Sequence, residues 1–273
     1  MFYWVTKYTL GLSLQIIFRP RVWGAKNVPR RGPVILAGNH LSFADHFFGP
    51  LPVPRKVIFL AKAEYFTKPG LMGLISKAFF AGVGVIPIDR AGGSAGERAI
   101  RTGLQVLAAG HVLGIYPEGT RSPDGRLYRG KTGVARLAVE SGAPVVPMAM
   151  IDTFEFQPPS TIWPNPRIRP GVKFGEPLDF SRYRGQPADG ALLRSITDEI
   201  MQAIAKLSGQ EYVDMDARRA KAELAGASTK ADDAEAEADD AEADDAEADD
   251  AETDHAEADD ARADDDAETG GAL

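Results

Sequence analysis

Short apolar runs alternate with helical patterns along the middle of the chain. Of all the features of the sequence, this alternation constrains the fold most strongly. The runs are rich in Val and Ile and apolar on both faces, as in strands that helices cover on both sides of a sheet. They are Val34–Gly38, Val57–Ala61, Val83–Ile88, Val112–Tyr116 and Val145–Ile151, with Val172–Phe174 as a candidate edge strand. The pattern predicts one α/β domain with a mixed, largely buried sheet flanked by helices.

The helical patterns between the runs have recognisable ends. Glu97–Ala109 and Thr132–Ser141 are each followed by a glycine, the usual residue just past a helix C-terminus. Apolar residues recur at helical spacing from Leu192 to Leu207 and predict a covering helix. Gly70–Ala81 is apolar with one charge, which fits either a core helix or a membrane-facing one.

Charge divides the chain into two unlike parts. The 273 residues carry a formal charge of −8, but residues 231–273 alone carry −20 and residues 1–230 carry +12. The acidic part repeats the unit ADDAE and has no large apolar side chain before Leu273. We therefore expect residues 214–273 to form an acidic, low-complexity, disordered tail. A weak cation site and electrostatic screening of the basic body are alternative roles for it.

The first 18 residues are apolar with a single charge, Lys7. As a helix they would be about 27 Å long, which is marginal for crossing a bilayer. Their polar residues scatter around the helix, and basic residues from Arg19 to Arg31 follow. We expect residues 1–20 to form a membrane-associating helix with the body on the cytoplasmic face of the cell membrane. The alternative is a helix packed on the protein's own core.

The first candidate site follows the strand Val34–Gly38. Histidine is the natural general base near neutral pH, and a carboxylate such as Asp45 can orient the imidazole of His40. The two meet if His40 lies in the strand-to-helix loop and Asp45 in the first helical turn. Alternatively, Ser42 and Asp45 form a capping box. His46 suggests a metal site with His40, but no third ligand stands out.

A second candidate site follows the strand Val112–Tyr116. Gly119 allows close backbone approach, Thr120 offers a hydroxyl, and Arg121 has a bidentate fork suited to phosphate. Glu118 could orient that arginine or accept from a substrate hydroxyl, and Lys131 adds positive charge further on. The alternative is a solvated turn with its charges directed outward.

Two further features have weaker interpretations. Arg90 ends the third run and either adds to an anion site or forms a surface ion pair with Asp89. Ser94 lies in a G-x-S-x-G pattern typical of serine hydrolases. That mechanism needs a later acid and then a histidine, whereas the later histidines are only His111 and the tail residue His255. We interpret this segment as a Gly-rich turn. The absence of cysteine excludes disulfides and thiolate chemistry.

Taken together, these motifs resemble the 1-acylglycerol-3-phosphate acyltransferase family over roughly residues 20–210. HxxxxD alone is a weak signal, but four blocks in the family's order are a strong one. The matching segments are Asn39–Asp45, Gly84–Arg90, Tyr116–Ser122 and Val145–Pro147, with Lys131–Gly133 in the place of a Lys-x-Gly step.

The resemblance implies an acyltransferase domain over residues 21–213. It implies that His40 is the general base, that Asp45 orients it, and that the oxygen of a lysophosphatidate attacks an acyl-CoA or acyl carrier protein thioester. The acceptor phosphate would be held by Glu118, Gly119, Thr120 and Arg121, with support from Asn39, Arg90 and Lys131. The motif interpretation requires His46 to point away from the site.

The implied partners are the acyl donor, the lysolipid acceptor and a membrane surface contacted by residues 1–18. No metal, other cofactor or nucleic acid is expected. The same chemistry on glycerol-3-phosphate or a lysophosphatidylinositol-type lipid stays open, as does a non-catalytic membrane scaffold.

Overall fold

The computed structural model describes residues 2–62, 82, 84–88, 95–159, 161–186 and 189–226. The strands in these ranges are β1 (Arg21–Trp23), β2 (Val34–Gly38), β3 (Val57–Lys62), β4 (Val85–Ile88), β5 (Val112–Ile115), β6 (Leu127–Tyr128), β7 (Val145–Ile151), β8 (Gly171–Phe174) and β9 (Tyr212–Val213). The helices are α1 (Phe2–Phe18), α2 (Asp45–Phe48), α3 (Ala95–Ala108), α4 (Gly133–Ser141), α5 (Thr153–Phe156) and α6 (Gly190–Ser208).

Seven of the described strands form one sheet in the order β1-β8-β7-β2-β5-β3-β4. Neighbouring strands are parallel except β7 and β8, which run antiparallel, so the predicted mixed sheet is confirmed. Each predicted run forms a strand within one or two residues of the expected bounds. The short strands β1, β6 and β9 lack an apolar run, and the sequence pattern therefore missed them. The apolar segment 70–81 lies outside the described residues.

Alternate side chains of the central strands fill two apolar layers, one on each face of the sheet. Ile35 and Leu113 pack in the layer covered by α3, α4 and α6. Leu36 and Phe59 pack in the other layer, which α1 and α2 cover. The glycine at the end of α4, Gly142, has φ +67° and donates its N–H to Ala138, as its position in the sequence predicts.

Helix α1 has apolar side chains on two faces. One face packs on the domain through Tyr3, Leu14 and Phe18, and the Lys7 ammonium donates to the carbonyls of residues 50, 53 and 55. Burial lowers the pKa of Lys7 to about 8. The other face leaves large apolar side chains in solvent, namely Val5, Tyr8, Leu12, Ile16 and Ile17. None of the helices described here is long and apolar enough to cross a membrane.

The compact unit extends past the boundary predicted at residue 213 and ends at Lys221. Residues 217–226 are helical, and Ala217 and Ala220 are buried against Tyr128. This contact could not be predicted from the sequence, because both buried residues are small and lie close to the acidic segment. The acidic repeats fall on residues 227–273, which lie outside the described part of the chain, so their disorder stays a prediction.

We expect the difference between the two boundaries to appear in stability. A chain ending at residue 226 keeps the Tyr128 contact and should unfold within about 2 °C of the full-length chain, whereas one ending at residue 213 should unfold at least about 5 °C lower. Thermal unfolding followed by circular dichroism measures both. Equal midpoints for the two truncated chains would show that residues 214–226 contribute nothing to the folded unit.

Candidate functional site

The candidate site lies where two neighbouring parallel strands end. Ala37 of β2 pairs with Ile115 of β5, so the loops that follow these strands meet at one edge of the sheet. The loop after β2 carries His40, and the loop after β5 carries Gly119–Ser122. The Ser122 N–H donates to the His40 carbonyl over 2.8 Å and ties the two loops together.

His40 and Asp45 form the pair that their spacing made possible. His40 Nδ1 lies 2.9 Å from Asp45 Oδ2, with the histidine in the loop and the aspartate in the first turn of α2. The same carboxylate oxygen accepts from the backbone N–H groups of Leu41 and Ser42 at 2.7 and 2.8 Å. Asp45 Oδ2 already accepts from these two backbone N–H groups, so the geometry favours the His40 tautomer that also donates to it, with the proton on Nδ1. The other ring nitrogen, Nε2, then has a lone pair that can accept a hydrogen bond from a substrate.

The capping-box alternative is only half realised. Asp45 does accept from the Ser42 N–H, but the Ser42 hydroxyl accepts from Ala44 rather than capping α2 and donates to Gln157. The N-cap position of α2 has no side-chain hydrogen bond. Asp45 is fully buried and serves mainly to hold the loop and the imidazole of His40.

Glu118 lies elsewhere than the phosphate-site prediction assumed. Its carboxylate is buried and accepts from two backbone N–H groups, those of His40 and Tyr128, each at 3.0 Å. It does not line the cleft that holds Arg121. Glu118 therefore positions the backbone of His40. The sequence could not reveal this, because one glutamate in a loop fits either a ligand or a buried acceptor.

The other members of the predicted phosphate site do lie together. Gly119, Thr120, Arg121 and Lys131 line one cleft of about 730 Å³ with His40. Arg121 forms no ion pair within the described ranges, while the Lys131 ammonium lies 3.5 Å from Asp216. A cationic group that has no ion-pair partner among the described residues suits an anionic ligand.

Gly119 has φ +74°, a conformation that favours glycine, and a Cβ there would meet the Lys131 side chain at 3.1 Å.

The same cleft also has an apolar wall. Phe59, Leu60, Ile100, Leu113, Ile115 and Leu137 line it. A cleft with a cationic end, a histidine and an apolar wall fits an amphiphile that has an anionic head and a hydrocarbon chain.

Aromatic rings enclose the imidazole of His40. Tyr116 stacks on it with centroids 4.1 Å apart, and Phe59 stacks on the far face of Tyr116 at 5.5 Å. Burial and the nearby Asp45 carboxylate raise the pKa of Tyr116 well above its usual range, so its hydroxyl stays protonated. This stack fixes the plane of the imidazole.

His46 does not point away from the site, which corrects the expectation from the motif. Its ring lies 5.1 Å from that of His40 and lines the cleft. Burial, followed by the charges of His40 and Arg121, lowers the pKa of His46 to about 3, so the ring stays neutral. No cluster of three metal-ligating side chains occurs in the described ranges.

Asn39 was predicted as a supporting residue of the phosphate site. Asn39 is buried and extends the β2–β7 pairing with its side chain, which accepts from Met150 N at 2.6 Å and donates to Met150 O and Gln210. It therefore supports the strand end and does not line the cleft. Arg90 and the Gly-rich segment around Ser94 lie outside the described residues.

Comparison with known proteins agrees with this architecture. The family model described as Acyltransferase matches residues 19–151. The chain is 27% identical over 157 residues to a chloroplastic 1-acyl-sn-glycerol-3-phosphate acyltransferase of Brassica napus, across 57% of this chain and 44% of that protein. It is 26% identical to the 1-acyl-sn-glycerol-3-phosphate acyltransferase of Bacillus subtilis, across 70% of this chain and 88% of that protein.

A solved structure extends the likeness to three dimensions. The crystal structure of the 1-acyl-sn-glycerophosphate acyltransferase PlsC from Thermotoga maritima superposes with a TM-score of 0.55 at 25% identity, across 74% of this chain and 78% of that one. The chain is thus similar, in sequence and in fold, to proteins named as 1-acyl-sn-glycerol-3-phosphate acyltransferases. The match spans less than half the length of the plant relatives, 44% in Brassica napus and 42% in Arabidopsis thaliana.

The position of Glu118 predicts a pH dependence of stability. Burial raises the pKa of Glu118 to about 8, whereas the value in an unfolded chain is about 4.3. The folded state thus holds the proton longer, and its free energy of unfolding should fall as pH rises from about 5 to about 8. Glu118→Gln removes this titration, so the wild-type chain should lose stability relative to the variant over that range. Urea unfolding at both pH values measures the difference, and an unchanged or growing wild-type advantage would contradict the assignment.

Proposed function

We propose that this chain transfers a fatty acyl group from acyl-CoA or acyl carrier protein to the free hydroxyl of 1-acyl-sn-glycerol-3-phosphate, giving phosphatidic acid. The observation that carries the proposal is the His40–Asp45 pair, whose histidine lines one cleft with an apolar wall and with Arg121, which forms no ion pair within the described ranges. The family and the relatives' names support the same activity.

In this mechanism the acceptor's phosphate binds at the cationic end of the cleft. Arg121 supplies the bidentate fork, Thr120 a hydroxyl, and Lys131 a second positive charge. Gly119 permits the backbone to approach the phosphate closely. The fatty chain of the acceptor or of the donor lies along the apolar wall.

His40 then acts as the general base. Its Nε2 takes the proton from the acceptor hydroxyl, and Asp45 stabilises the resulting imidazolium through Nδ1. The oxygen attacks the thioester carbonyl, the carbon–sulfur bond breaks, and the imidazolium returns its proton to the leaving thiolate. A backbone N–H or Lys131 stabilises the oxyanion that forms between these steps. No nucleophilic side chain is acylated.

Helix α1 brings this site to the lipid. Its exposed face carries five large apolar side chains over about three turns, together with the polar residues Thr9, Ser13 and Gln15, and basic residues from Arg19 onward follow it. We propose that this face lies in the headgroup region of the cytoplasmic leaflet, with the lysine and arginine residues near anionic lipid. The other face of α1 stays packed on the domain.

The role of His40 predicts a large loss of activity without a loss of folding. His40→Ala should lower kcat for acyl transfer by about 10²–10⁴-fold. His111→Ala is the matched control, since that side chain is exposed at the start of β5. Thioester cleavage monitored with a thiol reagent measures both, and near-native turnover by His40→Ala would contradict the role of His40 as the general base.

The role of Arg121 predicts a selective effect on the phosphorylated substrate. Arg121→Ala should raise KM for the lysophosphatidate by about 30- to 100-fold, the value of a lost charge-assisted contact. It should change KM for the acyl donor far less, and Arg101→Ala on the exposed surface of α3 should change neither. Equal effects on both substrates would contradict a phosphate-binding role.

The acceptor itself is best tested with a panel. Purified protein should turn over 1-acyl-sn-glycerol-3-phosphate faster than glycerol-3-phosphate or lysophosphatidylinositol, with acyl-CoA and acyl carrier protein compared as donors. Turnover of another acceptor alone would keep the chemistry and replace the substrate.

A further inference from the structure

Two large apolar side chains stand in solvent on a loop far in sequence from α1. Ile162 is 83% exposed and Trp163 is 84% exposed, the highest values among the large hydrophobic residues of the described ranges. Both lie in residues 161–169, the segment called here the Trp163 loop. Single exposed apolar residues are common on protein surfaces. An exposed tryptophan next to an exposed isoleucine marks a contact surface more often than a single exposed residue does.

The Trp163 loop is held in shape although these two side chains bury nothing. Gln157 donates its side-chain amide to the Ile162 carbonyl over 2.9 Å, and Asn165 donates its N–H to Phe156 over 2.7 Å. Ile168 packs into the apolar layer beneath it. The loop therefore displays its two apolar side chains from a fixed backbone.

The Trp163 loop adjoins the end of α1. The Phe18 ring of α1 packs edge-on against Phe156 at 5.0 Å, and Arg169 donates through Nε to the Arg19 carbonyl. Arg19 and Arg169 line a cavity of about 340 Å³ between the two elements. The exposed apolar face of α1 and the exposed tip of the loop thus belong to adjoining surfaces.

The charges of this region favour an anionic partner. The Trp163 loop carries two exposed arginines, Arg167 and Arg169, and no acidic residue. Arg19 is exposed at the adjoining helix end. An apolar tip that includes tryptophan and is flanked by arginines matches the composition of membrane interfaces, where the indole ring lies at headgroup depth.

We propose that the Trp163 loop is a second membrane contact, which inserts Ile162 and Trp163 into the headgroup region of an anionic bilayer beside α1. This inference rests on the proposed membrane association of α1. It adds a second point of attachment. With α1 as the only contact, the domain could still rotate about the helix axis, whereas two contacts fix its orientation on the bilayer.

The depth of the Trp163 side chain in the bilayer, measured by fluorescence, tests whether the Trp163 loop inserts. In the Trp4→Phe, Trp23→Phe background, Trp163 is the only tryptophan, and vesicles containing anionic phosphatidylglycerol should shift its emission to the blue. Lipids brominated near the headgroup end of the chain should quench it. The matched reporter adds Trp163→Phe and Tyr183→Trp, which moves the single tryptophan to the layer on the opposite face of the sheet, and it should show neither effect.

Affinity provides the second measurement. Ile162→Ser with Trp163→Ser should weaken co-sedimentation with the same vesicles by about tenfold, equivalent to about 1.4 kcal/mol. Arg101→Ser, an exposed change on α3, should leave the affinity unchanged. Since both changed apolar side chains are exposed, the folded state should persist, as circular dichroism can verify.

The outcomes separate this inference from the proposed function. If the wild-type chain binds vesicles but Trp163 is neither shifted nor quenched, the second contact is overturned and α1 remains the anchor. If the wild-type chain does not bind at all, the membrane association itself is wrong. Acyl transfer to a short-chain lysophosphatidate below its micellar concentration tests the chemistry independently of both.

Discussion

The site depends on the hydrogen bonds that the buried Glu118 carboxyl group accepts. It joins the backbone of His40 to that of Tyr128, and the Ser122 N–H closes the same connection from the other side of the histidine. A buried carboxylate that lost either partner would leave an unsatisfied polar group, which costs about 1–3 kcal/mol. The position of the imidazole is therefore set by the loop that follows β5 as much as by Asp45.

This arrangement divides the run from Tyr116 to Ser122 between two tasks. Tyr116 and Glu118 act on His40, one by stacking on its ring and one through its backbone. Thr120 and Arg121 face the cleft. Because adjacent residues of a turn point in different directions, a single short segment can both hold His40 and present a cation to the cleft.

Much of the fold could be predicted from the sequence, because buried parallel strands leave long apolar runs and their helices end at glycines. The meeting of His40 with Asp45 could also be predicted as a geometric possibility. The task of Glu118 could not, since burial of a loop carboxylate depends on the partners that the tertiary fold supplies. The inward position of His46 and the contact of Ala217 with Tyr128 were missed for the same reason.

The two faces of α1 explain why its sequence lacks a clear amphipathic pattern. One apolar face is buried on the domain, and Lys7 lies at its edge with three carbonyl oxygens as acceptors. The other apolar face is exposed together with Tyr8 and Ile16. Large apolar side chains therefore lie on both faces of the helix, and its polar residues do not gather on a single face.

The central claim is that Asp45 fixes the tautomer of His40 so that Nε2 is free to accept a proton. Nitrogen NMR of the chain labelled at histidine tests it most directly, with the His40 signals assigned by their loss in His40→Ala. The account predicts that at neutral pH His40 Nδ1 carries the proton and Nε2 does not, and that Asp45→Asn abolishes this preference. A proton on Nε2 with Nδ1 bare in the wild-type chain would contradict it.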